Sequence, residues 1–145
     1  VRRMLVPGGT VTVIEGDHRS VAFHPDSAAA RRVIDCQVRL QEQAGGDALI
    51  GSRVPDLLAE AGFAGVTASE RPVAVEADTS SPDLVDALVR RTFTAMIAGV
   101  REPAISAGMV TPEQFDAGVI DLLATAEPGG RFRYVFTKAT GRRLV

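Results

Sequence analysis

A chain of 145 residues is one domain's worth of polypeptide, and a formal net charge of −2 leaves it without the basic footprint that nucleic-acid binding requires. Its hydrophobic share of 46% and charged share of 23% are those of a globular protein and exclude intrinsic disorder. The single cysteine, Cys36, excludes an intrachain disulfide framework and fits a reducing compartment.

The stretch Leu5 to His18, LVPGGTVTVIEGDH, comes first. Its Pro-Gly-Gly turn leads into Thr10 to Glu15, where Val11, Val13 and Ile14 alternate with threonines and suit a pleated, buried surface. Apolar residues point both ways, so the expectation is a strand covered on both faces, as in a parallel sheet. A polar connection follows. A helix is then expected to start near Pro25 or Asp26, with aspartate as its cap. Its modest apolar face (Ala30, Val33, Ile34, Gln37, Leu40) suggests a cover rather than a core helix, and Gly45-Gly46 stops it. Cys36 on this helix reads as a small packed residue, and Arg31 and Arg32 read as facing water, the alternative being an acidic substrate.

Ser52 is placed to cap a short helix, SRVPDLLAEAG, with Pro55 in its first turn and Gly62 at its end. A strand over roughly Val66 to Glu76 is interrupted by Pro72, which removes a ladder donor. The clearest helix runs from a Ser81 cap and Pro82 at the first position to Val100. Val85, Leu88, Val89, Phe93, Met96 and Ile97 keep helical spacing along it. Thr111-Pro112-Glu113-Gln114 forms a capping box for another helix with a stripe of Phe115, Val119, Leu122 and Leu123. The last strand, RFRYVFTKA, sets Phe132, Tyr134 and Phe136 on one face.

These residues resemble a family. LVPGGTVTVIEGDH is similar to the fifth-strand motif of class I S-adenosylmethionine-dependent methyltransferases, in which a Pro-Gly-Gly turn and an apolar strand lead to an acid. LLAEAGF, Leu57 to Phe63, with the strand from Val66, resembles the helix and sixth strand of that fold. RFRYVFTKA resembles the seventh strand, which in the family runs antiparallel between strands five and six. The resemblance covers about Arg2 to Ala139. It implies an α/β, partial Rossmann-like fold made of strands five, six and seven with covering helices. The whole of residues 1–145 then forms the C-terminal, substrate-side half of a methyltransferase domain, with 81–127 as a helical insertion between the last two strands. The family's Gly-rich turn after its first strand and its ribose-binding acid have no counterpart here, so no cofactor-binding residues are assigned. S-adenosylmethionine would serve the parent enzyme and is expected not to bind this chain tightly alone.

The resemblance places Glu15 to Arg19 beyond strand five, at the sheet edge where open α/β sheets take ligands. His18 and Asp17 are the candidates for orienting or deprotonating a substrate group, His18 first because an imidazole titrates near neutrality. The plainer reading, and the one the residue types favour, is that both are loop residues hydrogen-bonded to backbone. Glu15, Arg19 and His24 are the candidate contacts to a small-molecule substrate. A metal site from His18, His24 and Cys36 lacks recognisable ligand spacing and is set aside. The open edge of the first strand invites pairing, so a homo-oligomer, in the simplest case a dimer, is expected. The second reading is a non-catalytic binding or dimerisation module, or a subunit that completes a methyltransferase with a partner chain. A third is an unrelated small α/β domain sharing the turn. With no apolar run near 20 residues and no leader-like start, no membrane contact and a cytoplasmic location are expected. Heavy use of alanine, arginine and valine fits a bacterial source.

Overall fold

The computed structural model describes residues Arg2 to Leu144. The protein is mixed α/β, with a four-stranded antiparallel open sheet and helices. The strands are β1 (Thr10–Gly16), β2 (Ala22–His24), β3 (Phe63–Glu76) and β4 (Arg131–Arg143). β4 pairs with all three others: antiparallel with β1 from Thr10↔Arg142 to Gly16↔Phe136, antiparallel with β2 at Phe23↔Phe132, and with β3. The chain divides into two compact units, and β3 and β4 contribute residues to each.

The first unit holds the described residues up to Ser20, Ala48–Val73, and those from Tyr134 on. Its core gathers Val54, Leu58, Phe63 and Ala139, with Leu5, Val11, Val13, Ile50 and Val66 packed against them. Each valine, leucine, isoleucine or phenylalanine among them, when fully buried, contributes on the order of 1.5–3 kcal/mol through apolar area removed from water. The expectation that β1 is covered on both faces is wrong. Thr10, Thr12 and Ile14 are exposed while Val11 and Val13 are half-buried, and β1 pairs only with β4 among the described residues. The alternation of threonine and valine is a one-sided pattern, and only Ile14, 56% exposed, breaks it. Ser52 does not cap the next helix. It sits inside a 3-10 turn, Ile50–Arg53, its hydroxyl donating to the Leu49 carbonyl at 3.2 Å, and α2 (Val54–Glu60) follows directly.

The second unit holds Val21–Asp47 and Ala74–Arg133. Helix α1 (Ala28–Gln43) is capped by Ser27, whose Oγ accepts from the Ala30 N–H at 3.1 Å; Asp26, the expected cap, is instead paired with Arg31. Nor is α1 a mere cover. Ala30 and Val33 are fully buried where it packs on α6 (Pro112–Ala124). The two helices approach so closely at Gly118 that an added Cβ would stand 2.6 Å from the Ala29 carbonyl oxygen. The capping box of Thr111 and Gln114 at the start of α6 forms as expected. The helix from the Ser81 cap also forms, but as α3 (Pro82–Val85), a π-helical stretch (Asp86–Thr94) and α4 (Ala95–Ala98) in succession. A further helix, α5 (Arg101–Ser106), was not anticipated. Val89, Phe93, Ile97, Phe115, Leu122 and Phe132 fill the interior, the Phe93 and Phe132 rings 4.8 Å apart.

Candidate functional site

After Gly16 the chain leaves the ladder and makes a tight polar turn, including a 3-10 segment at His18–Ser20. The turn replaces the strand that Val135 of β4 would otherwise pair with. The Val135 N–H donates to Ser20 Oγ at 3.0 Å and its carbonyl accepts from the Asp17 N–H at 3.4 Å. The Ser20 hydroxyl in turn donates to the Asp17 carbonyl at 2.6 Å, and Asp17 Oδ1 accepts from the Arg19 N–H at 2.8 Å. An aspartate holding the backbone two residues on is an Asx turn, which the sequence GDHRS favours.

That turn fixes His18. Its backbone N–H and its ring Nδ1 both reach the Ala48 carbonyl oxygen, each at 3.1 Å. The hydroxyl of Tyr134 also lies 3.1 Å from the same Nδ1, with the two rings edge to face. A backbone carbonyl only accepts, so Nδ1 carries the proton, the Tyr134 oxygen shares it, and Nε2 is left as the accepting nitrogen of a neutral ring. Burial lowers the His18 pKa below its ordinary 6.5, against the opposing pull of the Ala48 bond and the Asp17 charge. Burial, with the Asp17 and Glu15 carboxylates adding to it, pushes the Tyr134 phenol up to about 12. At neutral pH the pair is therefore an uncharged imidazole beside an uncharged phenol. Gly16 makes room for it: a Cβ there would stand 2.2 Å from the Tyr134 hydroxyl oxygen.

Of the sequence-derived candidates, Asp17 and His18 lie together in this turn, both half-buried. Glu15 and Arg19 flank it with exposed side chains, Arg19 contributing its backbone N–H to the turn. His24 belongs to the second unit, where it is exposed on β2 in register with Arg131 and precedes Pro25 through a cis peptide bond. Sequence reasoning reads Tyr134 as packed on its strand face, where it is buried, and sets Ser20 aside as a nucleophile; it does not join either to His18 and misses the Ala48 carbonyl. Antiparallel pairing of the first and last strands, had its register been worked out, would have carried Tyr134 to the end of β1. Cys36 is buried, as read from sequence. Among the described residues no group of three or more His, Cys, Asp or Glu side chains is placed to hold a metal, and no helix is long and apolar enough to cross a membrane.

No protein-family model matches this chain, and no curated protein matches it at a significant level.

Proposed function

We propose that this chain is the acceptor-side half of a class I S-adenosylmethionine-dependent methyltransferase fold, serving a small-molecule substrate. The observation that carries the reading is the place of β4, antiparallel to β1 and paired also with β3. The seventh strand of that family stands in the same way between the fifth and the sixth. The His18–Tyr134 pair lies just past the C-terminal end of β1, on the side where open α/β sheets take ligands. There His18, fixed by the turn with its Nε2 buried, is the group to orient a substrate hydroxyl or amine, and it acts as a general base only once that nitrogen is uncovered. The partial Rossmann-like description, with 81–127 as an insertion, belongs to this same reading.

The residues present do not fit the methyl donor. Gly8 and Gly9, the glycines nearest in pattern to a cofactor loop, are tied into backbone pairing: Gly8 N–H donates to the Arg143 carbonyl at 2.9 Å, and Arg143 N–H to the Gly9 carbonyl at 2.8 Å. The donor side has to come from other residues, and the chain by itself is expected to be inactive. Calorimetric titration of S-adenosylmethionine into the 145-residue chain should give no heat, whereas the longest native polypeptide carrying these residues should bind it and transfer labelled methyl to small acceptors. Micromolar binding by the short chain, or no transfer by the native polypeptide, overturns the proposal.

A second reading rests on a separate observation. β1 pairs on one side only among the described residues, and Met4, Val6 and Ile14, on and before it, are 86%, 71% and 56% exposed. An open strand edge beside apolar side chains pairs readily with another chain, so the protein also serves as a self-associating module. Sedimentation should show concentration-dependent dimers that Ile14→Lys dissociates; a monomer at every concentration excludes it.

A further inference from the structure

Residues four and seven positions apart recur on one side of a helix, so α1 presents Ala28, Arg32, Cys36 and Arg39 along a single face, with Asp35 beside them. This face lines a cavity of about 410 Å³, completed by Arg31 and by Met109 from the turn after α5. The size falls within the range of small-molecule sites. A second, wider hollow continues from Arg39 and Met109 past Glu42 and Gly108.

The charges on the wall are unequal in what they do. Arg31 is committed: its guanidinium meets Asp26 at 2.7 Å and stands 4.9 Å over the Phe23 ring. Among the described residues Arg32 and Arg39 are in no ion pair and no hydrogen bond, although they sit on a chain whose net charge is negative. Asp35 is the one carboxylate against them on the cavity wall. The floor between is apolar. Cys36 is 3% exposed, its thiol pushed up by burial and so uncharged, and Met109 is half-buried. Seven helical residues separate Arg32 from Arg39 by about 10 Å along the axis, a span that two long arginine side chains close from either end. Guanidinium forks match carboxylate and phosphate geometry and hold either more firmly than a point charge does.

We infer that this cavity binds a small organic anion, a carboxylate or a phosphate monoester, with its charged end clamped between Arg32 and Arg39 and its apolar body resting on Met109 and Cys36. The site lies wholly within the second unit and is independent of the function proposed above. Asp35 weakens an anion there, and its removal should strengthen binding.

The test is an amide-shift NMR titration of the 145-residue chain with hexanoate and with phenyl phosphate, using inorganic phosphate and hexanol as controls. Saturable shifts confined to residues 28–39 and 107–110 are expected with at least one anionic probe. The tighter of the two names the anion. Arg32→Gln and Arg39→Gln, both exposed and so harmless to folding, should each weaken binding roughly tenfold, the size of a lost charged hydrogen bond. Asp35→Asn should tighten it several-fold. No saturable shift with either probe overturns the inference. So do shifts indifferent to both arginine variants, or an equal response to inorganic phosphate, which would mean a basic surface without a site.

Discussion

The Tyr134 hydroxyl and the Ala48 carbonyl converge on one nitrogen of His18, each 3.1 Å from Nδ1. Because the carbonyl can only accept, this convergence fixes the tautomer, with the proton on Nδ1 and the lone pair on the buried Nε2. Burial makes the charged imidazole costly at the same place.

The first consequence is a pH-dependent stability. The folded pKa of His18 lies below its ordinary 6.5, so the unfolded chain binds the proton more readily. Stability from this group is fully present above pH 6.5 and is lost as pH falls through the folded pKa. Urea midpoints measured between pH 7.5 and 5 should decline on this account. In His18→Asn, which keeps a donor towards Ala48 but cannot titrate, that decline should shrink. Equal slopes in the two proteins would show that the ring is not held neutral.

Tyr134 is the chain's one tyrosine and there is no tryptophan, so ultraviolet absorbance follows this phenol alone. Its ionisation in the folded protein should centre at about 12, against roughly 10 in the urea-unfolded chain. A folded pKa above the unfolded one means stability present below pH 10 and lost as pH rises through 12. Asp17→Asn retains the Asx turn while removing one of the two carboxylates that add to the shift, so the midpoint should fall. A folded midpoint near 10 would mean the phenol stands in water.

The caps of α3 and α6 were legible because a cap depends on residues within four positions: Ser81 with Leu84, Thr111 with Gln114. Cys36 was legible as packed from its place in a helical pattern, although its burial depends on neighbours distant in sequence. The site was not. His18 and Tyr134 are 116 positions apart, and only strand pairing brings them together. Composition gave β1 the look of a buried strand, but burial is set by what packs on it. Val11 and Val13 face the Phe63 cluster while Ile14 meets solvent. At α1 the near-adjacent Asp26 and Ser27 both suit a cap. The choice fell to Ser27, which also donates to Asp121 of α6.

Ser20 stands in for a missing strand. Its oxygen takes the Val135 N–H at 3.0 Å while its proton goes to the Asp17 carbonyl. Ser20→Ala leaves both groups without that partner in a half-buried setting, at a cost of about 1–2 kcal/mol. The urea midpoint should drop accordingly, and hydrogen exchange at the Val135 amide should quicken more than at Phe132. If that amide keeps its protection, the turn does not depend on the hydroxyl.

In the second unit, Gly118→Ala sets two effects against each other. Alanine is the better helix former by up to about 1 kcal/mol. Yet its Cβ would stand 2.6 Å from both the Ala29 carbonyl oxygen and Val33 Cγ1, where the obstacle is the backbone of α1 and cannot swing aside. Overpacking of this kind costs about 1–3 kcal/mol, so the clash outweighs the propensity gain and the variant should be less stable. Gly99→Ala is the control. Its Cβ would meet nothing nearer than 3.3 Å, at the end of α4, so it should keep the propensity gain and be neutral or slightly stabilised. Should Gly118→Ala keep or raise the denaturation midpoint, the α1–α6 contact is looser than these distances require.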